Sequence, residues 1–427
     1  MITSRQAKYL VWGLFLLTTL LVVYRKLVYF PDSDGYLQSY LIRTAGYPLF
    51  LKAVSAISGD YFEWVLKALQ ALIGCWGIGY FLKTLTRLKV LKPEWAVLLC
   101  AFLLAPYFFD IKIGNKVLSE ALAYPLFLVV SSQFFRALIN KNTRSLLIAI
   151  PWLFLLLTVR AQFLFMVPIG LGLTYLIYRE NRQLKPLLIG LGLWIALPMA
   201  TNLTDRVYHS IEHGHFVRTP WRGIHFLAPA MFVAETEDVD LFTDPTQREY
   251  FRQMHQSLAD QKLHIDHPNP FHWDPVVIYV YEFTKIANST LFSEGKDILA
   301  PGMDRYNTFI EVDRQTSAMA GVLVRDNFKR WFRIYRGNFV HGMGNTAITL
   351  ALLLLLFYGL VSLIRGTCKN VESATLALLL LFGNMAIVSI GMHTINRFIF
   401  YNQWVVLFLL ILWLQPRLSK RIIERRN

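Results

Sequence analysis

Two carboxylates, Asp32 and Asp34, stand in the stretch PDSDGYLQSYLIRTAGYPLFL (31–51), which follows an apolar run at the start of the chain. Tyr36 and Arg43 lie in the same stretch. Further polar positions recur at the ends of later apolar runs: Glu120, preceded by Lys112 and Lys116, in KIGNKVLSEALAYPLFL; Arg160 in LLLTVRAQFLFMVP; and His393 with Arg397 in GMHTINRFIFYNQW. Charge is costly in hydrocarbon and cheap at its rim, where it caps helices or snorkels. Lys52, Lys112 and Lys116 suit that rim role, and Asp34 suits a cap for a helix beginning near Gly35. Asp32 suits it less well, and so does Arg160, which has only a tight break between two long apolar runs. A carboxylate can take a proton from a hydroxyl, and guanidinium forks match phosphate oxygens. Gathered at one face, these residues suit an anionic lipid-linked group with a base beside it.

The elements that must position them are membrane helices. The chain is 55% hydrophobic and 17% charged over 427 residues, with a mean hydropathy of +0.41. Ten apolar runs approach or exceed the roughly 20 residues that cross a bilayer: 8–27, 63–82, 94–110, 117–136, 145–160, 161–178, 185–202, 343–364, 373–392 and 399–415. The first ends in VYRKLVYF without a small-residue cleavage site and reads as a retained helix. Cys75, Cys100 and Cys368 fall in or beside such runs and form no disulfide framework or metal-binding pattern.

Charge orients the runs. The connections KTLTRLKVLK, RALINKNTR, YRENRQLK and IRGTCKN, and the tail PRLSKRIIERRN, are all basic and alternate along the chain. By the positive-inside rule they are cytoplasmic, together with both termini. The opposite side then holds 31–62, 111–116, the turn at Arg160, the segment 203–342 and the turn 393–398. Segment 203–342 has 15 Lys+Arg against 18 Asp+Glu, a net of −3, and the rest of the chain carries +18. The overall +15 is therefore a topology signal and gives little support to nucleic-acid binding. Three parts follow: 1–202, a bundle of seven spans with the first outer loop 31–62; 203–342, an extracytoplasmic segment; and 343–427, three spans and a basic tail. FTDPTQREYFRQMHQSLADQ and the stretch from PGMDRYNTF to FRIYRG read as amphipathic helices, and HPNPFHWDP as a loop.

In pieces, the chain resembles the GT-C superfamily of membrane glycosyltransferases, which use polyprenyl-phosphate-linked sugars, and most of all the bacterial group of aminoarabinose transferases and protein O-mannosyltransferase-like enzymes. DSDGYL (32–37) resembles the family's acidic first outer loop, an aspartate with a tyrosine four residues on. IRTAGYPLFL (42–51) resembles its Arg-(x)-Pro-Gly-Tyr-Pro stretch, with Ala45 where proline is common. NKVLSEALAYPLFL (115–128) resembles the start of the fourth span with its carboxylate, here Glu120. LLLTVRAQFLFMVP (155–168) resembles a leucine-rich run ending in Thr-Arg-Pro, with Val159 intervening and Ala161 for the proline. INRFIFYNQWVVLFLL (395–410) resembles a late Arg-Tyr motif, with Phe398 for the tyrosine. The resemblance covers 1–202 and extends to 343–416; it leaves out 203–342.

It implies an all-α polytopic fold, a GT-C-like bundle of ten helices with a mainly helical extracytoplasmic segment, in a bacterial plasma (inner) membrane. It implies inverting transfer of a sugar from a polyprenyl-phosphate carrier, such as undecaprenyl phosphate, to an extracytoplasmic glycan, lipid or protein hydroxyl. Asp32 would be the base and Asp34 its helper. Glu120 would bind the acceptor or tune the base. Arg160 and Arg397 would hold the phosphate, with Arg43, Tyr36, Lys116 and His393 around the substrate. No cofactor is required, though Asp32, Asp34 and a third carboxylate leave room for a divalent cation; zinc on His213, His215, His264 and His267 is a weaker alternative. The rival functions are an O-antigen polymerase or ligase type, against which the acidic first loop speaks, and a lipid or glycan transporter, against which the lack of an inverted repeat speaks.

Overall fold

A computed structural model describes residues 3–109, 111–266, 274–366 and 371–424, with the backbone alone for 417–424. Cys368, His267 and most of HPNPFHWDP lie outside the described residues. The chain is an all-α polytopic membrane protein. Among the described residues there is no sheet, only a parallel bridge between Val28 and Lys116. Among the described residues, eight helical stretches are long and apolar enough to cross a membrane: Ser4–Tyr24, Gly46–Arg87, Glu120–Asn140, Ala161–Asn181, Leu184–His213, Thr346–Arg365, Glu372–Gly391 and Asn396–Pro416. The other two expected spans form helices Pro93–Phe108 and Thr143–Val159, of 16 and 17 residues. At 1.5 Å per residue these extend about 24–26 Å, short of the roughly 30 Å hydrocarbon layer. Ten expected spans thus become eight of spanning length and two shorter ones.

The chain folds into two compact units. The first comprises Met1–Thr204, Ala351–Asn384 and Phe400–Asn427; the second comprises Asp205–Leu350 and Met385–Ile399. The 385–399 stretch, which the sequence reading puts with the last spans, belongs to the second unit.

In the first unit, α1 (Ser4–Tyr24) starts at a capping box in which Thr3 and Gln6 satisfy each other's backbone N–H groups. The expected outer loop 31–62 is mostly helical: α2 (Ser33–Leu37), then α3 (Gly46–Ser58), then a 3₁₀ turn leading into α4 (Phe62–Arg87). After α5 (Pro93–Phe108) comes α6 (Glu120–Asn140), the most enclosed of the long helices. Next follow α7 (Thr143–Val159), the 3₁₀ turn Ala161–Phe165, α8 (Met166–Asn181) and α9 (Leu184–His213). The last of these continues eleven residues past the expected end at 202.

In the second unit the helices are α10 (Arg222–Met231), α11 (Pro245–Asp260), α12 (Pro275–Thr284), α13 (Lys296–Leu299), α14 (Arg305–Asp326) and α15 (Phe328–Met343), with a π-helical run at Lys285–Glu294. Three starts follow one rule: Asp244, Asp274 and Asp304 each accept from the backbone N–H two residues on, which satisfies a helix-end donor. Leu227, Met231, Tyr250, Tyr279, Leu291 and Met319 lie in its core, each fully buried. The chain returns through α16 (Thr346–Arg365), α17 (Glu372–Gly391), α18 (Asn396–Ile399) and α19 (Trp404–Glu424).

Candidate functional site

Asp32 occupies the position just before α2, where an aspartate usually caps, yet it makes no capping hydrogen bond. Its carboxylate turns to Arg43, whose Nη2 donates to Oδ1 at 2.8 Å. The Arg43 guanidinium lies 4.6 Å from the centre of the Tyr36 ring, a cation–π distance. Gly35 makes this approach possible, because a Cβ there would stand 2.7 Å from Arg43 Nε. Tyr36 is fixed edge-on against Tyr47, with ring centres 5.1 Å apart. Its hydroxyl lies 3.1 Å from Ser119 Oγ.

Ser119 leads to the second charge pair. Its Oγ accepts from Arg160 Nη1 at 3.2 Å, and the same nitrogen donates to Glu120 Oε1 at 3.0 Å. Glu120 is the first residue of α6 and is wholly buried. Arg160 sits in extended backbone between α7 and the following 3₁₀ turn. Arg160 Nε donates to Gln162 Oε1 at 2.9 Å, and Gln162 Nε2 to Asn384 Oδ1 at 2.6 Å. A continuous set of contacts therefore runs within the first unit from Asp32 through Arg43, Tyr36 and Ser119 to Glu120, Arg160 and Asn384.

The scaffold behind this network is built from close backbone approaches. Gly46, at the start of α3, abuts the end of α7 so closely that a Cβ would meet the Thr158 carbonyl carbon at 2.8 Å. Thr44 Oγ1 donates to Val159 O at 3.1 Å across the same contact. Ser33 Oγ accepts from Phe30 N–H and donates to Val117 O, which ties the start of α2 to the segment before α6. Gln70, fully buried in α4, accepts from Tyr47 Oη at 2.8 Å and donates to Gly114 O at 3.1 Å. Lys67, one turn earlier, donates to Val23 O and Arg25 O at the end of α1. Lys67 thereby satisfies helix-end carbonyls that would otherwise lack a donor.

The remaining expected residues are placed as follows. Asp34 is exposed on the first turn of α2. Lys116 is half-buried, its Nζ 4.8 Å from the centre of the Phe30 ring. His393 and Arg397 belong to the second unit. His393 is buried, with Nδ1 2.6 Å from Val280 O and its ring stacked on Phe283. A carbonyl can only accept, so Nδ1 carries the proton. Burial, with the positive charge of Arg397 adding to it, pushes the His393 pKa below the ordinary histidine value; the Val280 hydrogen bond opposes that shift. Arg397 lies 5.8 Å from the Phe398 ring centre.

Ser119, Gln162, Asn384, Gln70 and Lys67 escape the sequence reading, although each is a polar residue in or beside an apolar run. Gln70 and Asn384 carry the clearest signal, since their side chains have no solvent route. Among the described residues, no group of three or more His, Cys, Asp and Glu side chains could hold a metal ion. Neither the Asp32–Asp34 cation site nor the zinc alternative therefore finds a three-ligand set there. His264 instead holds Ala234 O at 2.8 Å, and His213 Nδ1 lies 3.2 Å from His209 Nδ1. Compared with family models, curated proteins and solved structures, the chain matches none.

Proposed function

We propose that the protein is an inverting membrane glycosyltransferase of the GT-C kind, which moves a sugar from a polyprenyl-phosphate carrier to a hydroxyl acceptor outside the cytoplasm. The observation that carries the reading is the contact chain joining the Asp32–Arg43 pair to the Glu120–Arg160 pair. It links a carboxylate that does no capping work to an arginine held at the end of an apolar helix. These are the two chemical parts such a transfer needs.

In this reading the acceptor oxygen attacks the anomeric carbon while the bond from that carbon to the phosphate oxygen breaks. The hydroxyl proton passes to the Asp32 carboxylate, and the lipid phosphate leaves with the electron pair. Arg43 orients Asp32 through the 2.8 Å hydrogen bond. Arg160 meets the charge that grows on the leaving phosphate, where a positioned guanidinium contributes most in a water-poor site. Glu120 and Gln162 position that guanidinium from two sides. Asp34 faces the acceptor as a helper.

The test is sugar transfer from a lipid-phosphate donor by purified protein in nanodiscs. Asp32→Asn keeps the size and removes the base, so the rate falls roughly 10²–10⁴-fold while donor binding persists. Asp34→Asn costs less. An Asp32→Asn protein turning over at the wild-type rate ends the assignment of the base. Failure of Glu120→Gln and Arg160→Lys to alter transfer as well ends the glycosyltransferase reading.

A further inference from the structure

A second charged site lies in the first unit at the far end of α6. A cavity of about 580 Å³ opens between the end of α4, the last turns of α6 and the start of α7. Four cations line it, Arg87, Lys89, Arg136 and Arg144, and among the described residues no carboxylate does. We propose that this cavity binds a phosphate group carried by a hydroxyl-bearing molecule, either a polyol lipid headgroup or a soluble polyol phosphate. The inference is independent of the glycosyltransferase reading.

Basic residues at this end are also what topology requires, so the cations alone decide nothing. Three features go beyond topology. First, Arg136 does not snorkel freely. Its Nη1 donates to Tyr80 Oη at 3.0 Å and its Nη2 to Thr84 Oγ1 at 3.1 Å, and its guanidinium lies 5.0 Å from the Tyr80 ring centre. Neutral partners fix the guanidinium in place and leave its charge unopposed. Second, Gln133, one turn earlier on α6, is 1% exposed and is one of the residues around the cavity, and its Oε1, itself enclosed, has no hydrogen-bond partner. Its Nε2 is already committed to Tyr80 Oη at 2.5 Å. A buried acceptor without a donor is costly, and a ligand hydroxyl would relieve it. Third, the 17-residue helix α7 begins at the cavity wall, where Asn142, Arg144 and Ser145 line it. Its positive N-terminal end adds to the same field.

The parts assign separate tasks. Arg87, Lys89 and Arg144 are exposed at the mouth and draw the anion in. Arg136 meets the phosphate at the floor, and Gln133 Oε1 reads a hydroxyl beside it. The alternating basic connections put this mouth on the cytoplasmic side, at the headgroup level, where both sources of polyol phosphate are present.

The experiment uses the full chain in nanodiscs. One arm compares neutral phosphatidylcholine discs with discs containing phosphatidylglycerol and reads retained lipid by native mass spectrometry. The other titrates glycerol phosphate and inorganic phosphate into phosphatidylcholine discs by calorimetry. Arg87→Gln/Arg144→Gln leaves the interior contacts of Arg136 intact and should weaken binding by roughly tenfold or more. Gln133→Leu should abolish the preference for glycerol phosphate over inorganic phosphate, or for phosphatidylglycerol over a phosphatidic acid lacking the polyol. Binding in the lipid arm alone assigns a headgroup; binding in the soluble arm assigns a free polyol phosphate. No binding in either arm, or equal binding by wild type and the double variant, overturns the site.

Discussion

Polar residues at the ends of apolar helices find different partners in the two units. In the first unit, the side chains of the candidate site meet one another, and two of the contacts are between charges: Asp32 with Arg43, and Glu120 with Arg160. In the second, polar side chains near the end of α17 mostly meet backbone. His393 bonds Val280 O. Asn338, fully buried in α15, donates to Met392 O at 2.7 Å and accepts from Thr394 N–H at 3.0 Å. Thr394 Oγ1 in turn donates to Asn338 O at 2.7 Å. A fold that only has to satisfy a chain reversal can do so with neutral groups. An enclosed ion pair such as Glu120–Arg160 is an expensive way to reach the same end, because desolvation offsets much of its attraction. The proposed function assigns chemistry to the first arrangement and shape alone to the second, although the same kind of residue marks both in the sequence.

The sharpest way to break this comparison is to remove one member of the buried pair. Arg160→Ala takes the Arg160 charge away from the enclosed Glu120 carboxylate and should destabilise the protein by about 3–5 kcal/mol. Glu120→Gln/Arg160→Gln removes both charges and should recover most of that loss while abolishing transfer. Unfolding in mixed micelles, followed by tryptophan fluorescence, measures both. If the single and double variants are equally unstable, Arg160 is needed for packing and its charge is incidental. A smaller effect is expected from Asn338→Ala, which leaves buried donors and acceptors unpaired at about 1–3 kcal/mol in total. That loss should not respond to ionic strength, since no charge is involved.

Much of this architecture is legible in the sequence. Apolar runs of spanning length identify the bundle, and Asp-Pro and Asp-Arg steps mark the starts of α11, α12 and α14. The charged members of the site are also visible, because a charge beside an apolar run stands out at any register. Their pairing is not visible. Asp32 is a partner of Arg43 eleven residues on, a contact that depends on the turn between α2 and α3 and on the absence of a side chain at Gly35. Glu120 and Arg160 are separated by two full helices, so nothing local couples them. The neutral bridge, Ser119, is hidden for a different reason: serine is common at helix starts and carries no charge to draw attention. The helical nature of 46–58 escapes because Gly46, Pro48 and Gly59 read as turn residues, whereas Gly46 and Pro48 stand in the first turn of α3 and Gly59 ends it.

The smallest effect expected is a pH dependence in the second unit, and it tests whether His393 serves shape or binding. Burial makes the folded ring resist a proton, and the charge of Arg397 reinforces this. An unfolded chain has no such resistance and takes up the proton near pH 6.5. Below that value the unfolded state binds more protons than the folded one, so stability is present at neutral pH and is lost as the pH falls, until the folded ring itself titrates. Each unit of pKa depression corresponds to about 1.4 kcal/mol. His393→Asn keeps an amide donor toward Val280 O and removes the titration. Its unfolding should therefore depend less on pH than that of the wild type between about pH 7 and 5. His341, whose Nδ1 is 3.3 Å from Thr394 Oγ1, and Arg397 contribute to the same field, so His341→Gln serves as the control for a neighbour's titration. If His393→Asn leaves the slope unchanged and weakens donor binding instead, His393 belongs with the charged network, and the division between the two units fails at that residue.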